Sequence, residues 1–452
     1  MQREHLGSRL GFLLLSAGCA IGIGNVWKFP WMTGQYGGGA FVVLYLMFLA
    51  ILGVPVMTME FAMGRAAQCS PLKMYGALKP GSKWGWHGAV CLIGNIFLMM
   101  FYTTVAGWML QYFVDTARGC FDGMDTKAVE GMFSAMLASP GTMTIYMGII
   151  VVSGFAIISR GVQKGLEKVT KFMMMALMVL MGVLAIHSLT LQGGSEGLKF
   201  YLVPSMENIQ AAGLGNVVVG AMNQAFFTLS LGIGAMAIFG SYIGRERALM
   251  GEAVRVCCLD TVVALCSGLI IFPACSAYGV DVGQGPPLIF MTLPNVFNNL
   301  PLGRLWGSLF FLFMTFAAYS TVLAVFENIV SCVGELTGLN RKKCCALCCI
   351  GIFLLSLPCL LGYNLLSNVR PIAGHDILDS EDFLVSNLML PLGSLIFVLF
   401  CTARYGWGWK KFMAEANEGT GLKVASWMRP YMTYVLPVVV LVIFLLGLVN
   451  FF

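Results

Sequence analysis

The stretch AGCAIGIGNVWKFP, residues 17–30, interrupts the first long apolar segment of the chain. Gly18, Gly22 and Gly24 lie within two turns of what would otherwise be a continuous helix. Glycine in a helix interior costs roughly 1 kcal/mol relative to alanine, so a cluster of glycines favours unwinding. Unwound backbone offers carbonyl oxygens to cations and, where the helix resumes, free N–H groups to an anion. We therefore predict a broken helix that forms part of a ligand site.

The composition indicates a membrane protein. Hydrophobic residues make up 58% of the 452 residues and charged residues 11%, a balance that excludes a soluble globular protein. Lipid cannot satisfy backbone polar groups, so spans of this composition must be helices, and the predicted fold class is an all-α polytopic membrane protein. Eleven apolar segments of about 20 residues predict transmembrane helices near 8–32, 38–64, 86–115, 142–159, 165–189, 213–243, 248–277, 303–335, 343–363, 383–404 and 430–451.

The basic residues are distributed unevenly between the two faces of this topology. Most of the 27 lysines and arginines fall in every second loop of this topology. Loops with an excess of Lys and Arg are typically cytoplasmic. The asymmetry predicts a multi-pass protein of the cell membrane with a cytoplasmic N-terminus and an extracytoplasmic C-terminus. The net charge of +6 is then a topology signal, and it indicates no nucleic-acid partner. The first apolar segment is too long for the apolar region of a signal peptide.

A second glycine motif, GIG at residues 232–234, lies in the middle of the predicted sixth span. Five spans separate the two motifs, so the two elements would cross the membrane in opposite directions. Paired glycine-interrupted segments of this kind point to a transporter site at the bilayer midplane. The prediction is an inverted five-plus-five repeat, with residues 1–189 and 190–405 as the two repeats and 406–452 as a cytoplasmic connection and an eleventh helix. The alternative is that the glycines only allow close helix packing.

Four further stretches carry a specific pattern together with the one quoted above: REHLGSRLGF (3–12), YGGGAF (36–41), NQAFFTLSLGIGAM (223–236) and FENIVSCVGEL (326–336). On these motifs the chain resembles the neurotransmitter:sodium symporter family, from which the rule on paired broken helices was in part drawn. It is most similar to the prokaryotic eleven-helix members that carry hydrophobic amino acids. The resemblance runs from about residue 3 to the last span, and it implies sodium-coupled symport by alternating access.

The resemblance also implies two sodium ions bound by oxygen ligands, which suit a hard cation. The first site would consist of Ala20, Asn25, Thr228 and Asp260. The second site would consist of Gly18, Ile21, Ala317, Ser320 and Thr321. The family's leucine-transporting member has Asn at the position of Asp260 and a Glu one turn further on, where this chain has Ala264. Asp260 would therefore supply both the ligand and the fixed charge, so transport should not need chloride. Without the resemblance, Asp260 could instead be a structural pairing partner, and Ser320 and Thr321 could bond to the preceding turn.

The same comparison implies a site for an α-amino acid. Backbone groups of the two broken helices, with the Tyr102 and Ser230 hydroxyls, would bind its amino and carboxylate groups. The pocket around the substrate side chain would carry no charge, so we expect leucine-like or aromatic substrates, since polar ones would leave buried groups unpaired. The implied substrate-binding residues are Ala20, Ile23, Gly24, Leu98, Tyr102, Phe227, Thr228, Ser230, Ile233, Thr321 and Val325.

Gates on both sides of the site follow from the same motifs. The implied gate residues are Tyr102 and Phe227 as an aromatic lid, Lys28 and Asp382 as the outer pair, and Arg3, Tyr242 and Glu335 as the inner group. The family usually has Arg where this chain has Lys28, and Lys cannot form a bidentate pair with a carboxylate. Leu6 stands where the family has Trp, and Met175 where many relatives have Pro. Lys28 therefore predicts a looser outer gate, and Leu6 predicts a more populated inward-facing state. Met175 argues against the hydration route at the cytoplasmic end of the fifth span that the proline provides in relatives.

Other functions remain open beside the symporter. A membrane-bound amino-acid sensor that binds substrate and sodium without net transport is the main alternative, favoured by the departures at the gates. An enzyme is disfavoured because no nucleophile is paired with a base. Glu60 and Glu327 lie within predicted spans, where bonding to backbone is favoured over proton relay, and Asp260 could return a proton after sodium leaves. The four cysteines within residues 344–349 are interpreted as packing residues. A monomer and a homodimer are both possible.

Overall fold

The computed structural model describes residues 6–279, 288–298 and 300–449. Within these ranges the regular elements are helices, and no β-strand is formed. Numbered in chain order, the helices are α1 (Arg9–Ala20), α2 (Gly24–Gln35), α3 (Gly39–Ala67), α4 (Pro71–Leu78), α5 (Lys83–Arg118), α6 (Thr126–Leu137), α7 (Pro140–Ile158), α8 (Val162–Leu189), α9 (Ser195–Leu202), α10 (Met206–Ala212), α11 (Leu214–Thr228), α12 (Ala235–Gly240), α13 (Leu249–Ala277), α14 (Leu293–Asn298), α15 (Gly303–Thr337), α16 (Arg341–Leu361), α17 (Ile377–Thr402), α18 (Trp409–Ala416) and α19 (Met428–Val449).

The apolar segments recognised in the sequence are helices, although fewer than eleven qualify as spans. In the described part of the chain, nine helices are long and apolar enough to cross a membrane, and the bent pair of α1 and α2 makes a tenth. The predicted sixth span corresponds to α11 and α12, with 15 and 6 residues, because the chain unwinds between them. Each piece alone is too short to span a bilayer. The count of eleven, the inverted repeat and the repeat boundaries therefore stay predictions.

Both glycine motifs coincide with breaks in their helices. α1 ends at Ala20, and α2 resumes with a widened π-helical turn over Gly24–Lys28, so that the two helices meet at an angle of 55°. Between α11 and α12 the φ angles of Ser230, Gly232 and Gly234 are 50°, 98° and 72°. This left-handed region is open to glycine without strain, which explains why two glycines stand there.

The broken helices lie in the interior of the helix bundle. α15 packs along α5 and also contacts α1 and α8, while α1 contacts α13. In the most apolar window of α15, 78% of residues are buried, against 33% in α19. α15 is therefore a central helix, whereas α19 packs on α17 at the periphery and exposes apolar side chains such as Val442 and Leu445, as lipid-facing helices do.

Short helices between the spans were not recognised in the sequence. One of them, α18, is fixed by the fully buried Arg65 at the end of α3. Arg65 Nε donates to Glu415 Oε1 at 2.6 Å, and its Nη1 donates to the carbonyl of Arg247 at 2.8 Å. The arginine thus ties α3 to α18 and to the loop that follows α12. Among the described residues, no group of three or more His, Cys, Asp and Glu side chains could hold a metal ion.

Candidate functional site

Asn25 connects the first broken helix to α13. Its Oδ1 accepts a hydrogen bond from the Gly22 N–H at 3.1 Å, which holds the unwound turn in place. Its Nδ2 donates to Asp260 Oδ1 at 2.8 Å and to the Asp260 carbonyl at 3.1 Å. Ser267, one α13 turn beyond Ala264, donates to the Asn25 carbonyl at 2.6 Å. Asn25 and Asp260, which are 235 positions apart in the sequence, are therefore joined at the point where α1 ends and α2 begins.

The carboxylate of Asp260 is fully buried, and the donors that reach it from the described residues are neutral. Besides Asn25, Thr228 Oγ1 donates to Asp260 Oδ2 at 3.1 Å and Tyr45 Oη donates to the same oxygen at 3.4 Å. Within the described ranges Asp260 forms no ion pair with Lys or Arg. A buried carboxylate without a counter-charge is costly, so this arrangement fits a cation bound beside it.

A second cluster of oxygen atoms lies where the end of α1 meets α15. Thr321 Oγ1 is 3.2 Å from the Ile21 carbonyl and 3.3 Å from that of Gly18. Ser320 Oγ is 3.3 Å from the Ile21 carbonyl and 2.9 Å from that of Ala317. The five residues proposed for the second sodium site are thus brought together. Carbonyl and hydroxyl oxygens at such spacing suit a hard cation.

A cavity lies between the two broken helices. Tyr102 Oη accepts a hydrogen bond from the Ile23 N–H at 2.9 Å and so closes one side of it. Seven of the implied substrate-binding residues line the cavity, namely Ala20, Gly24, Leu98, Tyr102, Phe227, Ser230 and Thr321. Three further residues line the cavity although they are not among the implied substrate-binding residues, namely Cys19, Gly22 and Leu390. The lining carries no ionised side chain.

Four implied substrate-binding residues lie outside the lining: Ile23, Thr228, Ile233 and Val325. Thr228 instead donates to Asp260, and the side chain of Ile233 lies beside Gly94 on α5. All four are buried. Their roles toward a substrate stay predictions.

The second broken helix is held by Glu60 on α3. Its Oε1 accepts from the Gly232 N–H at 2.6 Å and its Oε2 from the Met236 N–H at 3.2 Å. The carboxylate thereby satisfies N–H groups left free at the start of α12, where a negative charge is also favoured by the helix dipole. This contact is of the structural kind that the sequence favoured for Glu60.

Other polar residues that fix the site gave only weak signals in the sequence. Gln224 Nε2 donates to the Gly24 carbonyl at 2.8 Å and connects α11 to α2. Tyr45 donates a hydrogen bond to Asp260, and Ser267 donates one to the Asn25 carbonyl. Each is a polar side chain within an otherwise apolar span, and such residues tend to face the bundle interior. That rule points to a functional face without naming the partner.

On one side of the cavity, Lys28 interacts with two of the residues implied as gates. Its Nζ lies 3.5 Å from Asp382 Oδ2 and 3.8 Å from the ring centroid of Phe227. The side chains of Lys28 and Asp382 are 24% and 32% exposed. The ammonium group therefore contacts both an anion and the face of an aromatic ring that lines the cavity.

On the opposite side, Tyr242 and Glu335 take part in separate contacts. Tyr242 Oη donates to Glu327 Oε1 at 2.8 Å, and Arg341 forms an ion pair with the same carboxylate. Glu335 accepts from the Ser70 N–H at 2.9 Å and from Ser70 Oγ at 2.7 Å. Arg3, the third implied member of this gate, lies outside the described residues.

Known proteins resemble the chain over its whole length. The sequence profile of the "Sodium:neurotransmitter symporter family" matches residues 3–121 and 126–452. The uncharacterized sodium-dependent transporter YhdH of Bacillus subtilis is 34% identical over 456 residues, which is 98% of each chain. The sodium-dependent serotonin transporter of Drosophila melanogaster is 26% identical over 99% of this chain and 77% of its own. The crystal structure of MhsT in complex with L-phenylalanine matches with a TM-score of 0.88 and 35% identity over 98% of this chain and 99% of that one.

Proposed function

The chain belongs to the sodium:neurotransmitter symporter family, and on this premise we propose that it carries hydrophobic or aromatic L-amino acids together with sodium by alternating access. The family consists of sodium-coupled transporters and not of enzymes. The observation that most supports the proposal is the buried carboxylate of Asp260, held by Asn25 and Thr228 beside the cavity. Because this residue brings its own negative charge to the cation site, transport does not require chloride.

The substrate class follows from the chemistry of the cavity. The unwound backbone near Gly24 and the hydroxyls of Tyr102 and Ser230 offer hydrogen bonds to the two ends of an amino acid. Leu98 and Leu390 offer only apolar surface to its side chain. A polar substrate side chain would lose its hydration there without replacement. The relative MhsT was solved with L-phenylalanine, an aromatic amino acid, which agrees with this class.

Two sodium ions provide the driving force in this proposal. The first binds at Ala20, Asn25, Thr228 and Asp260, and the second at Gly18, Ile21, Ala317, Ser320 and Thr321. Each charge falling through about 100 mV supplies roughly 2.3 kcal/mol, and a tenfold gradient adds about 1.4 kcal/mol. Two ions thus supply roughly 7 kcal/mol, equivalent to a concentration ratio of about 10⁵. If the substrate carboxylate completes the first site, substrate and sodium strengthen each other's binding by the same factor.

The topology that goes with this mechanism has eleven spans, an inverted repeat and a cytoplasmic N-terminus in the cell membrane. Lys28 and Asp382 then close the site on the outer face, and Arg3, Tyr242 and Glu335 on the inner face. The active unit is a monomer or a homodimer. Arg404 is an exposed residue after α17. A cysteine in its place, in a protein whose exposed Cys120 and Cys258 are replaced by serine, should react with an impermeant thiol reagent only from the cytoplasmic side.

The proposed function is tested by uptake into proteoliposomes. With an inward sodium gradient, labelled leucine, tyrosine or tryptophan should accumulate above the external concentration, whereas an equal potassium gradient should give none. Replacing chloride with gluconate should leave the uptake rate unchanged. A requirement for chloride would contradict the role given to Asp260, and no response to sodium would overturn both ion sites. Sodium-dependent binding without accumulation would identify a sensor instead.

Replacing Lys28 with Met should slow uptake modestly. The substitution removes the ion pair with Asp382 and the cation over Phe227, and both groups of the pair are partly exposed. Such contacts are worth about 0–1 kcal/mol each, so we expect a 2- to 10-fold lower initial rate of leucine uptake at roughly 1.4 kcal/mol per tenfold. Lys28→Arg is the control and should keep the rate. A large rise in the sodium concentration for half-maximal uptake would contradict a gating role.

A further inference from the structure

We propose that Gly94, on α5 and outside the lining of the cavity, determines how large a substrate side chain the cavity accepts. Because Gly94 has no side chain, Ile233 can occupy the space beside it and stay out of the cavity. This inference rests on the proposed function and deepens it, because it names a specificity-determining residue for the same site.

Gly94 is packed closely against Ile233 and Met389. A Cβ atom built at Gly94 would lie 2.8 Å from Cγ2 of Ile233 and 3.2 Å from Sδ of Met389. A Cβ atom essentially never lies within 3.0 Å of a non-bonded side-chain atom, so Ile233 would have to shift if position 94 carried a side chain. Gly94 lies one helical turn before Leu98, and Met389 precedes Leu390. Leu98 and Leu390 both line the cavity.

The backbone of Ile233 cannot retreat from this contact. Its carbonyl accepts a hydrogen bond from Asn95 Nδ2 at 2.8 Å, and the preceding N–H of Gly232 donates to Glu60. On the far side, a Cβ built at Gly393 would lie 1.9 Å from the Gly232 carbonyl oxygen, so the two backbones are already in contact. Two hydrogen bonds and a backbone contact therefore hold this segment, so a methyl group at position 94 would displace the side chain of Ile233 before its backbone.

The side chain of Ile233 would then have to change its rotamer. Isoleucine is β-branched and has few χ1 rotamers. A methyl group in the space at Gly94 would force Cγ2 of Ile233 away from α5. In this proposal the side chain then turns toward the neighbouring cavity, which Leu98 and Leu390 line. Even one methylene in an apolar pocket changes discrimination by about 10- to 200-fold. The space at Gly94 is therefore what admits a side chain as large as an indole.

The test measures the ratio of tryptophan to leucine uptake in proteoliposomes driven by sodium. Gly94→Ala should lower this ratio by about 10-fold or more. Ile233→Ala alone should raise it, and Gly94→Ala combined with Ile233→Ala should return it at least to the wild-type value. Gly182→Ala is the matched control, because Gly182 lies on membrane helix α8 and a Cβ there would meet nothing within 4 Å. This control should leave the ratio unchanged.

The outcomes separate the inference from the function on which it rests. If wild-type protein transports both amino acids with sodium but the ratio is the same in Gly94→Ala, Gly94 has no role in specificity. A double variant as restricted as Gly94→Ala would also overturn the inference, since Ile233 could not then be the intermediary. Should Gly94→Ala fail to fold, Ile233→Ala alone decides, and an unchanged ratio refutes the inference. Wild-type protein that transports neither amino acid refutes the proposed function as well.

Discussion

Replacing Asp260 with Asn should raise the sodium concentration for half-maximal uptake by about 100-fold or more. The three side chains around the carboxylate, those of Asn25, Thr228 and Tyr45, are neutral. Among the described residues, Asp260 is therefore the fixed negative charge that would offset a sodium ion in this site. Removing one partner of a buried charge pair costs about 3–5 kcal/mol, which corresponds to at least about 100-fold in affinity at 1.4 kcal/mol per tenfold.

The experiment follows leucine uptake over a series of sodium concentrations, in chloride and in gluconate. Asp122→Asn is the control, because this exposed carboxylate lies in the loop after α5 and takes no part in the proposed sites. If chloride improves the sodium affinity of Asp260→Asn and leaves the wild type unaffected, a missing fixed charge explains the defect. An Asp260→Asn variant with wild-type sodium dependence would remove Asp260 from the cation site.

Features that depend on local chemistry could be predicted from the sequence. Apolar length alone located the membrane helices, and for α13 the predicted range 248–277 differs from the observed Leu249–Ala277 by one residue. The cluster of Gly18, Gly22 and Gly24 predicted where the first helix breaks, because the cost of glycine in a helix is a local property. Asp260 could also be singled out, because a carboxylate within an apolar span is rare and indicates a functional site.

Features that depend on which helices meet could not be predicted from single residues. Tyr45 looks like an ordinary residue of an apolar helix, yet α3 brings its hydroxyl to Asp260. The pairing of Asn25 with Asp260 spans 235 positions, and only the resemblance to a known family anticipated it. Arg341 lies between two predicted spans, 303–335 and 343–363, and so looks like a loop charge in the sequence, whereas the packing of α15 and α16 pairs it with Glu327.

The contact between Gly94 and Ile233 shows the same limit in another form. Gly94 looks like one more small residue in a membrane helix, and the sequence offers nothing to separate it from Gly182. The difference is spatial: a methyl group at position 94 would meet Ile233, and one at position 182 would meet nothing. Close packing between helices is what gives the first glycine a consequence.

Replacing Gly22 with Ala should abolish sodium-driven uptake, with a loss of about 100-fold or more, because the new methyl group would lie inside the cavity. A Cβ at this position would be 2.2 Å from Tyr102 Oη and 2.5 Å from Thr321 Oγ1. Neither hydroxyl is free to move aside. Tyr102 is held by the Ile23 N–H at 2.9 Å, and Thr321 lies 3.2 Å from the Ile21 carbonyl, within the second oxygen cluster. The methyl group would therefore both block the substrate and displace an oxygen atom of the cation site. The expected effect accordingly lies at the upper end of the range for filling an apolar pocket, which is about 10- to 200-fold, or above it.

The measurement is leucine uptake at saturating sodium, with substrate binding to purified protein measured in parallel. Gly351→Ala is a suitable control, since Gly351 lies on the membrane helix α16 and a Cβ there would meet no atom within 4 Å. The control should retain wild-type uptake and binding, whereas Gly22→Ala should lose both while eluting as a folded, monodisperse protein. Leucine would no longer fit beside Tyr102 and Thr321 in the Gly22→Ala variant. Leucine binding should therefore stay lost even at a higher sodium concentration. A Gly22→Ala variant that still accumulates leucine at a rate within tenfold of wild type would show that the substrate binds elsewhere than in the cavity between the two broken helices.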